Sequence, residues 1–152
     1  MAWYDNGEKG IVGQIANLTI SRVESFPAGG SIKAGSLVKL DSTNAKVVQL
    51  NKATDKGAIL GVALKVNREP YADGYTYHEG DTVSVLTAGD VFMAVSGSAK
   101  YGQVFTVANG TDTLTLTAVN AGTENAIDKL MAVENASGLV AVRVKDWNGG
   151  KI

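Results

Sequence analysis

The 152-residue chain contains no cysteine, two prolines and a single histidine, His78. The absence of cysteine excludes a disulfide framework and thiol chemistry. With one histidine, the zinc sites built from several His or Cys ligands have no basis, and a Ser-His-Asp arrangement would have to use His78. The longest apolar runs, such as residues 60–64, are far shorter than the roughly 20 residues that cross a bilayer.

Strong charge of either sign is also lacking. The 14 basic and 15 acidic residues are spread along the chain and leave a net charge of -1. No basic run is present that would neutralise several phosphates, and no polybasic or amphipathic membrane anchor is present. The N-terminus lacks the basic and apolar regions of a secretory leader. We therefore expect neither nucleic acid nor membrane as a partner, and no secretion by this route.

Glycine and short apolar runs are what the chain does contain. Its 18 glycines separate runs of four to eight residues that are rich in Val, Leu, Ile and Thr. Such runs at intervals of 8–12 residues, with almost no helix signals, are typical of small all-β domains. The predicted fold is a small β-barrel or sandwich of short antiparallel strands with an extended N-terminal arm.

Several of these runs predict hairpins. Residues 37–40 and 47–50 flank a polar turn, and residues 113–119 follow the turn-forming pair Asn109-Gly110. Residues 130–133 and 139–144 predict a closing hairpin. The clearest pattern predicts a hairpin in which residues 82–87 and 91–95 flank a turn at Ala88-Gly89-Asp90. A further strand is predicted over 59–66, with Gly61 as a bulge or a point of close backbone approach.

A weak internal repeat accompanies these strands. Residues 33–38 (KAGSLV) resemble residues 100–105 (KYGQVF), and an Ala/Val-rich segment follows each of them, at 61–63 and at 131–133. Two related halves that close one barrel would account for this pattern.

The chain divides into three predicted parts. Residues 1–17 form the arm, 18–147 a single β domain, and 148–152 a frayed tail.

No catalytic pattern frames the polar residues. No Gly-x-Ser-x-Gly elbow surrounds a serine, and His78, Glu79 and Asp81 match neither a zinc nor a calcium site. His78 is better explained as a polar residue beside a turn. We therefore expect no enzyme activity, no cofactor, no metal and no catalytic residues.

Aromatic residues are the best candidates for a contact surface. Tyr71, Tyr75 and Tyr77 cluster in the segment 67–80, and Trp3 and Tyr4 lie in the arm. Tyrosine and tryptophan are enriched at protein interfaces because each combines a large apolar body with a polar tip. The alternatives are packing of these rings onto their own domain and stacking on sugars. We predict that these five residues form an interface with a partner or with a second subunit.

Five short motifs occur in the order typical of one protein family, across roughly residues 20–145. They are I-x-A-G (32–35), G-V-A (61–63), G-D-x-V-x-V-L-x-x-G (80–89), G-x-V (102–104) and V-A-V-R-V (140–144). Each motif by itself is a combination of turn and strand residues that many β proteins share. Through their order and spacing, the chain resembles the bacteriophage structural cement (capsid decoration) proteins. The arm carries none of these motifs.

The resemblance implies a protein that binds the outer surface of an assembled phage head, made in the host bacterial cytoplasm. Its partners would be the major capsid protein and further copies of itself, with a trimer favoured over a dimer. The five aromatic residues would then form a capsid or subunit interface. The alternative from the residues alone is a carbohydrate-binding or adhesive β module of a phage tail or fibre.

Overall fold

A computed structural model describes residues 12–41, 45–50, 52, 58–65, 76–110 and 114–145, with only the backbone described at 17–20. The described part is almost entirely β-structure and contains no α-helix, which confirms the predicted all-β class. The strands are β1 (Ile15–Pro27), β2 (Ile32–Lys33), β3 (Leu37–Leu40), β4 (Val47–Gln49), β5 (Ile59–Ala63), β6 (Thr76–Tyr77), β7 (Thr82–Ala99), β8 (Val104–Ala108), β9 (Thr115–Val119), β10 (Ile127–Ala132) and β11 (Ala136–Val144).

Nine of these strands form two closed rings that share β7. In the first ring β7 pairs with β5, β5 with β3 and β3 with β4, while β1 pairs with β7 and continues into the parallel bridge Ala28–Val47. In the second ring β7 pairs with β11, then β11 with β10, β10 with β8 and β8 with β9. A parallel pair, Ser96–Thr117, returns from β9 to β7. Ring closure leaves few unpaired sheet edges.

The predicted internal repeat is visible in this topology. The three strands β4-β3-β5 of the first ring correspond to β9-β8-β10 of the second, with the same antiparallel pairings. The prediction that two halves close one barrel is wrong in one respect. Each half closes its own ring, and the N-terminal and C-terminal parts of the long strand β7 serve different rings.

Glycine turns of one kind repeat around the two rings. The N–H groups of Ser36 and Gln103 donate to the carbonyls three residues earlier, Lys33 and Lys100, at 3.1 and 3.0 Å. The glycine between them has φ near +90° in both turns, which is a region that side chains other than glycine's rarely adopt. The sequence likeness of 33–38 to 100–105 therefore reflects one turn geometry used twice.

Each of these turns is also joined by two hydrogen bonds to a strand that lies further along the chain, β5 for the first turn and β10 for the second. Gly35 N–H donates to Ala63 O at 2.7 Å, and Ala63 N–H donates to Ser36 O at 2.9 Å. Gly102 and Gln103 make the same two bonds to Ala132, at 2.9 and 2.8 Å. The same arrangement joins Gly80 and Asp81 to Ala28, and Gly13 and Gln14 to Phe92.

The predicted hairpins are partly confirmed. Strands β3–β4, β8–β9 and β10–β11 pair antiparallel as expected. Gly61 is a point of close approach, since a Cβ at this position would lie 2.3 Å from the carbonyl oxygen of Leu86.

The hairpin predicted around Ala88-Gly89-Asp90 does not exist. Residues 82–99 form one continuous strand, because Asp90 of the supposed turn and Thr87 just before it have partners on the neighbouring strands. Arg143 of β11 binds the Asp90 side chain, and Arg22 Nε donates to Thr87 Oγ1 at 3.0 Å. Gly89 has φ +133°, and the strand continues through it without a break.

Two apolar clusters occupy opposite sides of the shared strands. One fills the first ring and includes Val38, Val83 and Val85. The other joins the second ring to the outer side of the first, and it includes Leu86 and Phe105. Strand β5 is buried at all five positions because each of its faces contacts one cluster.

The N-terminal boundary differs from the predicted one. Residues 12–17, assigned above to the arm, belong to the fold, since β1 starts at Ile15 and Gly13 N–H donates to Phe92 O at 2.8 Å. The rest of the predicted arm and the tail 148–152 lie outside the described residues. No helix long and apolar enough to cross a membrane occurs in the described part of the chain.

Candidate functional surface

Of the three tyrosines in the segment 67–80, only Tyr77 lies within the described residues, and its ring is buried. Tyr77 is 2 % exposed and packs in the cluster inside the first ring. Its hydroxyl donates to the carbonyl oxygen of Leu64, which itself lies in a buried position. Tyr77 therefore has no surface to offer a partner, and its expected place in an interface is corrected to a structural one.

The other predicted contact residues lie outside the described residues. Trp3 and Tyr4 precede residue 12, and Tyr71 and Tyr75 fall in the segment 66–75. Their role in an interface stays a prediction.

Tyr101 is an aromatic residue that the sequence reasoning missed. It is 63 % exposed, the most exposed of the large apolar residues in the described part of the chain. It occupies the turn between β7 and β8, at the position that Ala34 holds in the first copy of the repeat. The signal was present in the comparison of KAGS with KYGQ, where a small turn residue is replaced by a large ring.

Three hydrogen bonds fix the backbone around Tyr101. Its own N–H donates to Asn135 Oδ1 at 2.8 Å, and Gly102 N–H donates to Ala132 O at 2.9 Å. Lys100 N–H donates to Gln103 Oε1 at 2.9 Å, within the turn itself. An exposed ring on a rigid turn loses little conformational entropy when a partner covers it, which favours its use as a contact residue.

Arg143 lies on β11, in the second ring of strands and near the Tyr101 turn. It pairs with Met131 of β10, whose neighbour Ala132 accepts the hydrogen bond from the Tyr101 turn. Its side chain is 45 % exposed, while Nε and Nη2 donate to the Asp90 carboxylate at 2.8 and 3.2 Å. The hydrogen bond to Asp90 raises the pKa of Arg143, which burial opposes, and the charges of Asp90 and Tyr101 add to the rise. Arg143 is thus a fixed cation near an exposed tyrosine, and these two residue types dominate binding energy at many interfaces.

The polar residues considered for chemistry sit in a turn. His78 N–H donates to Asp81 Oδ2 at 2.8 Å, and Asp81 N–H returns to His78 O at 2.9 Å. Asp81 is therefore used to close the turn that leads into β7. Within the described ranges, no group of three or more His, Asp or Glu side chains is placed to hold a metal ion.

Solved structures share the fold of this chain. A chain from "The capsid of Myoviridae Phage XM1" superposes with a TM-score of 0.66 at 19 % sequence identity, covering 97 % of this chain and 99 % of that one. A chain from "The crystal structure of head fiber gp8.5 N base in bacteriophage phi29" has a TM-score of 0.49 at 14 % identity, covering 84 % of this chain and 96 % of that one. No curated protein matches the sequence.

The family comparison is more specific than the fold. The family model described as structural cement protein (E217 gp24/Pam3 gp6) matches residues 3–145, which includes both rings and most of the segment before them. The match confirms the resemblance inferred from the turn-and-strand motifs and extends it into the arm. This chain belongs to the phage structural cement proteins and is a structural component of phage.

Proposed function

We propose that this protein binds the outer surface of the assembled major capsid lattice as a homo-oligomer, with a trimer favoured, and stabilises the lattice without catalysis. The observation that carries the proposal is the family match over residues 3–145, which spans the whole described fold. The similarity to a chain of a phage capsid structure supports the fold on which the proposal rests.

The proposed mechanism is preferential binding to the assembled state. A ligand that binds only the assembled lattice lowers its free energy relative to free capsid subunits. Many copies, each linked to others in an oligomer, multiply weak individual contacts. The low net charge of -1 fits contacts made by shape and apolar area rather than by one strong electrostatic field.

We assign the Tyr101 turn to this contact surface, with Arg143 beside it. The phenol ring would enter an apolar depression on the capsid. The guanidinium group, already held by Asp90, would donate its outward N–H groups to carbonyl or carboxylate oxygens. The predicted contact residues Tyr71 and Tyr75 are further candidates.

Heads that lack the protein provide the test. Purified protein is added to expanded heads and to unexpanded procapsids, and co-sedimentation is measured over a range of concentrations. We expect saturable binding to expanded heads, together with greater resistance to DNA release on heating. Absence of binding to both forms would overturn the proposal.

Tyr101→Ala tests the assigned surface separately. We expect at least a tenfold loss of head affinity, since removal of an interface tyrosine commonly costs about 2 kcal/mol. The matched control is Val23→Ala, which removes an exposed apolar side chain (42 % exposed) from β1 in the first ring. Equal binding by the two variants would remove Tyr101 from the interface while leaving lattice binding intact.

The adhesive alternative has no specific support in the described residues. Of the three tyrosines proposed to stack on sugars, Tyr77 is buried, and Tyr71 and Tyr75 lie outside the described ranges. Specific binding on a glycan array that is lost in Tyr75→Ala would restore this alternative.

A further inference from the structure

Strand β1 is covered by a neighbouring strand on one side over most of its length. Its partner there is β7. In the described part of the chain, the only strand pairing on the other side is the parallel bridge from Ala28 to Val47, beyond the last residue of β1. Ser21, Val23 and Ser25 are exposed along this second side. The edge of β1 over residues 21–25, called the β1 edge below, is therefore placed to accept a further strand.

The pairing with β7 determines which main-chain groups lie on the β1 edge. Leu64 N–H donates to Ser84 O at 2.8 Å, on the side of β7 that faces away from β1. Ser25 is the residue of β1 opposite Ser84, so its own N–H and C=O groups point away from β7 as well. Val23 and Pro27 share this orientation because they lie two residues to either side. A proline is tolerated at such a position, since it donates no hydrogen bond to the neighbouring strand.

The sequence of the β1 edge is complementary to itself. Residues 21–25 are Ser-Arg-Val-Glu-Ser. If two copies run antiparallel with Val23 opposite Val23, the Arg22 of each copy faces the Glu24 of the other. Ser21 then faces Ser25 at both ends. Opposite charges directly across a strand pair stabilise it.

The same charges disfavour the neighbouring registers. Because the pleat fixes which main-chain groups face outward, an antiparallel pair shifts in steps that bring a different residue to the centre. One neighbouring register places Arg22 opposite Arg22, and the other places Glu24 opposite Glu24. Like charges directly opposite one another are destabilising. The order of charges on the β1 edge therefore selects one register.

The two charged side chains are held on one face of β1. Arg22 Nε donates to Thr87 Oγ1 at 3.0 Å and lies 3.8 Å from Glu24 Oε2. The side chains of Arg22 and Glu24 are 41 % and 40 % exposed, respectively. Since both still reach solvent, a pairing across the strands would not require the desolvation that burial of an ion pair costs.

We propose that two copies of this chain pair through their β1 edges, antiparallel and about a two-fold axis at Val23. The N–H and C=O groups of Val23 exchange two hydrogen bonds with those of the second copy, and Ser21 and Ser25 extend the ladder on both sides. The Val23 side chains, each 42 % exposed, lie next to one another. The contact uses the same surface of both copies, so it closes as a dimer and links trimers if these form elsewhere on the molecule.

Cross-linking tests the register, and the absence of native cysteine makes the result direct. In the proposed pair the two Val23 Cα atoms lie about 5.5 Å apart, within disulfide range. The two Ser25 Cα atoms lie about 14 Å apart, beyond that range. After mild oxidation of the full-length protein, Val23→Cys should form a disulfide between chains about tenfold faster than its matched control Ser25→Cys. Equal rates on non-reducing electrophoresis would overturn the proposal.

Charge reversal tests the complementarity. Arg22→Glu and Glu24→Arg each place like charges across both pairs, whereas a mixture of the two variants brings opposite charges together again. We expect each variant alone to dimerise about tenfold more weakly than the wild type, and the mixture to recover. Sedimentation velocity measures association, and circular dichroism checks that both variants are folded. A mixture that associates no better than its components would overturn the proposal, as would a wild type that stays monomeric at its highest soluble concentration.

Proline tests the role of the main chain. Val23→Pro removes the outward N–H group but no hydrogen bond to β7, while the matched control Val23→Ala keeps that group. We expect Val23→Pro to abolish the dimer and Val23→Ala to remain close to the wild type. Equal association of the two variants would contradict main-chain pairing. All three experiments are carried out without phage heads, so their failure would leave the proposed lattice binding untouched.

Discussion

Arg143 donates two hydrogen bonds, from Nε and Nη2, to the carboxylate of Asp90, whose side chain is 6 % exposed. The two residues lie 53 positions apart in the chain, on adjacent strands of the second ring. Because the arginine reaches solvent and the aspartate does not, the two partners contribute unequally to stability.

We predict that Arg143→Ala destabilises the protein more than Asp90→Asn. Loss of Arg143 strands a buried carboxylate, at a cost of about 1–3 kcal/mol, whereas the guanidinium left by Asp90→Asn can turn to water. Urea unfolding followed by circular dichroism measures both changes, and the double variant should cost less than the sum of the two. A larger effect of Asp90→Asn would contradict this account.

The contribution of the Arg143 charge to stability depends on pH with a definite sign. The pKa of Arg143 is raised in the folded protein, so its contribution is complete below the unfolded pKa and is lost only as the pH rises through the folded one. We therefore expect the difference in unfolding free energy between the wild type and Arg143→Lys to stay constant from neutral to mildly alkaline pH. Denaturation midpoints across that range check this.

Gly61→Ala should be strongly destabilising. The added Cβ would lie 2.3 Å from the carbonyl oxygen of Leu86, so β5 would have to move away from β7, with a cost of about 1–3 kcal/mol or more. Gly30→Ala is the matched control, because no heavy atom lies within 4 Å of its added Cβ. Thermal unfolding compares them, and similar melting temperatures would show that the shared core can widen at little cost.

Alanine variants of two glycine turns can measure the cost of backbone strain separately from the cost of steric crowding. Gly102→Ala adds only the strain of φ +92°, about 1–2 kcal/mol, since nothing lies within 4 Å of the new Cβ. Gly35→Ala adds strain at φ +89° and a contact of 2.1 Å with Val12 Cγ1, and it should cost more. Chemical denaturation of both variants gives the difference, and equal losses would mean that Val12 moves aside freely.

Tyr77→Phe tests the structural role assigned to that ring. Removing the hydroxyl leaves the buried Leu64 carbonyl without this donor, at a cost of about 1–3 kcal/mol. Tyr101→Phe is the control, and at 63 % exposure it should change stability by less than about 0.5 kcal/mol. Head binding by folded Tyr77→Phe should match the wild type. A specific loss of binding would return Tyr77 to the interface.

Local pattern was enough to predict the strands and turns of this protein, because their causes are local. Glycine at a position of positive φ ends one strand and starts the next, as at Gly35 and Gly102, whatever surrounds it. Alternation of threonine with apolar residues predicts β9 as a half-buried strand. The order and spacing of the five turn-and-strand motifs were enough to indicate the cement family from the sequence.

Tertiary structure alone decided what depends on distant partners. The sequence of residues 88–90 is typical of a turn. In the fold, Arg143 from a distant part of the chain binds Asp90, and the segment lies in the middle of a strand that both rings share. The sequence around Tyr77 suggests a surface ring, but in the fold its hydroxyl donates to the Leu64 carbonyl oxygen in the core, whereas Tyr101 is 63 % exposed. The burial of a side chain and the pairing of a strand depend on contacts between residues that are remote in sequence. Local residue propensities therefore do not predict them.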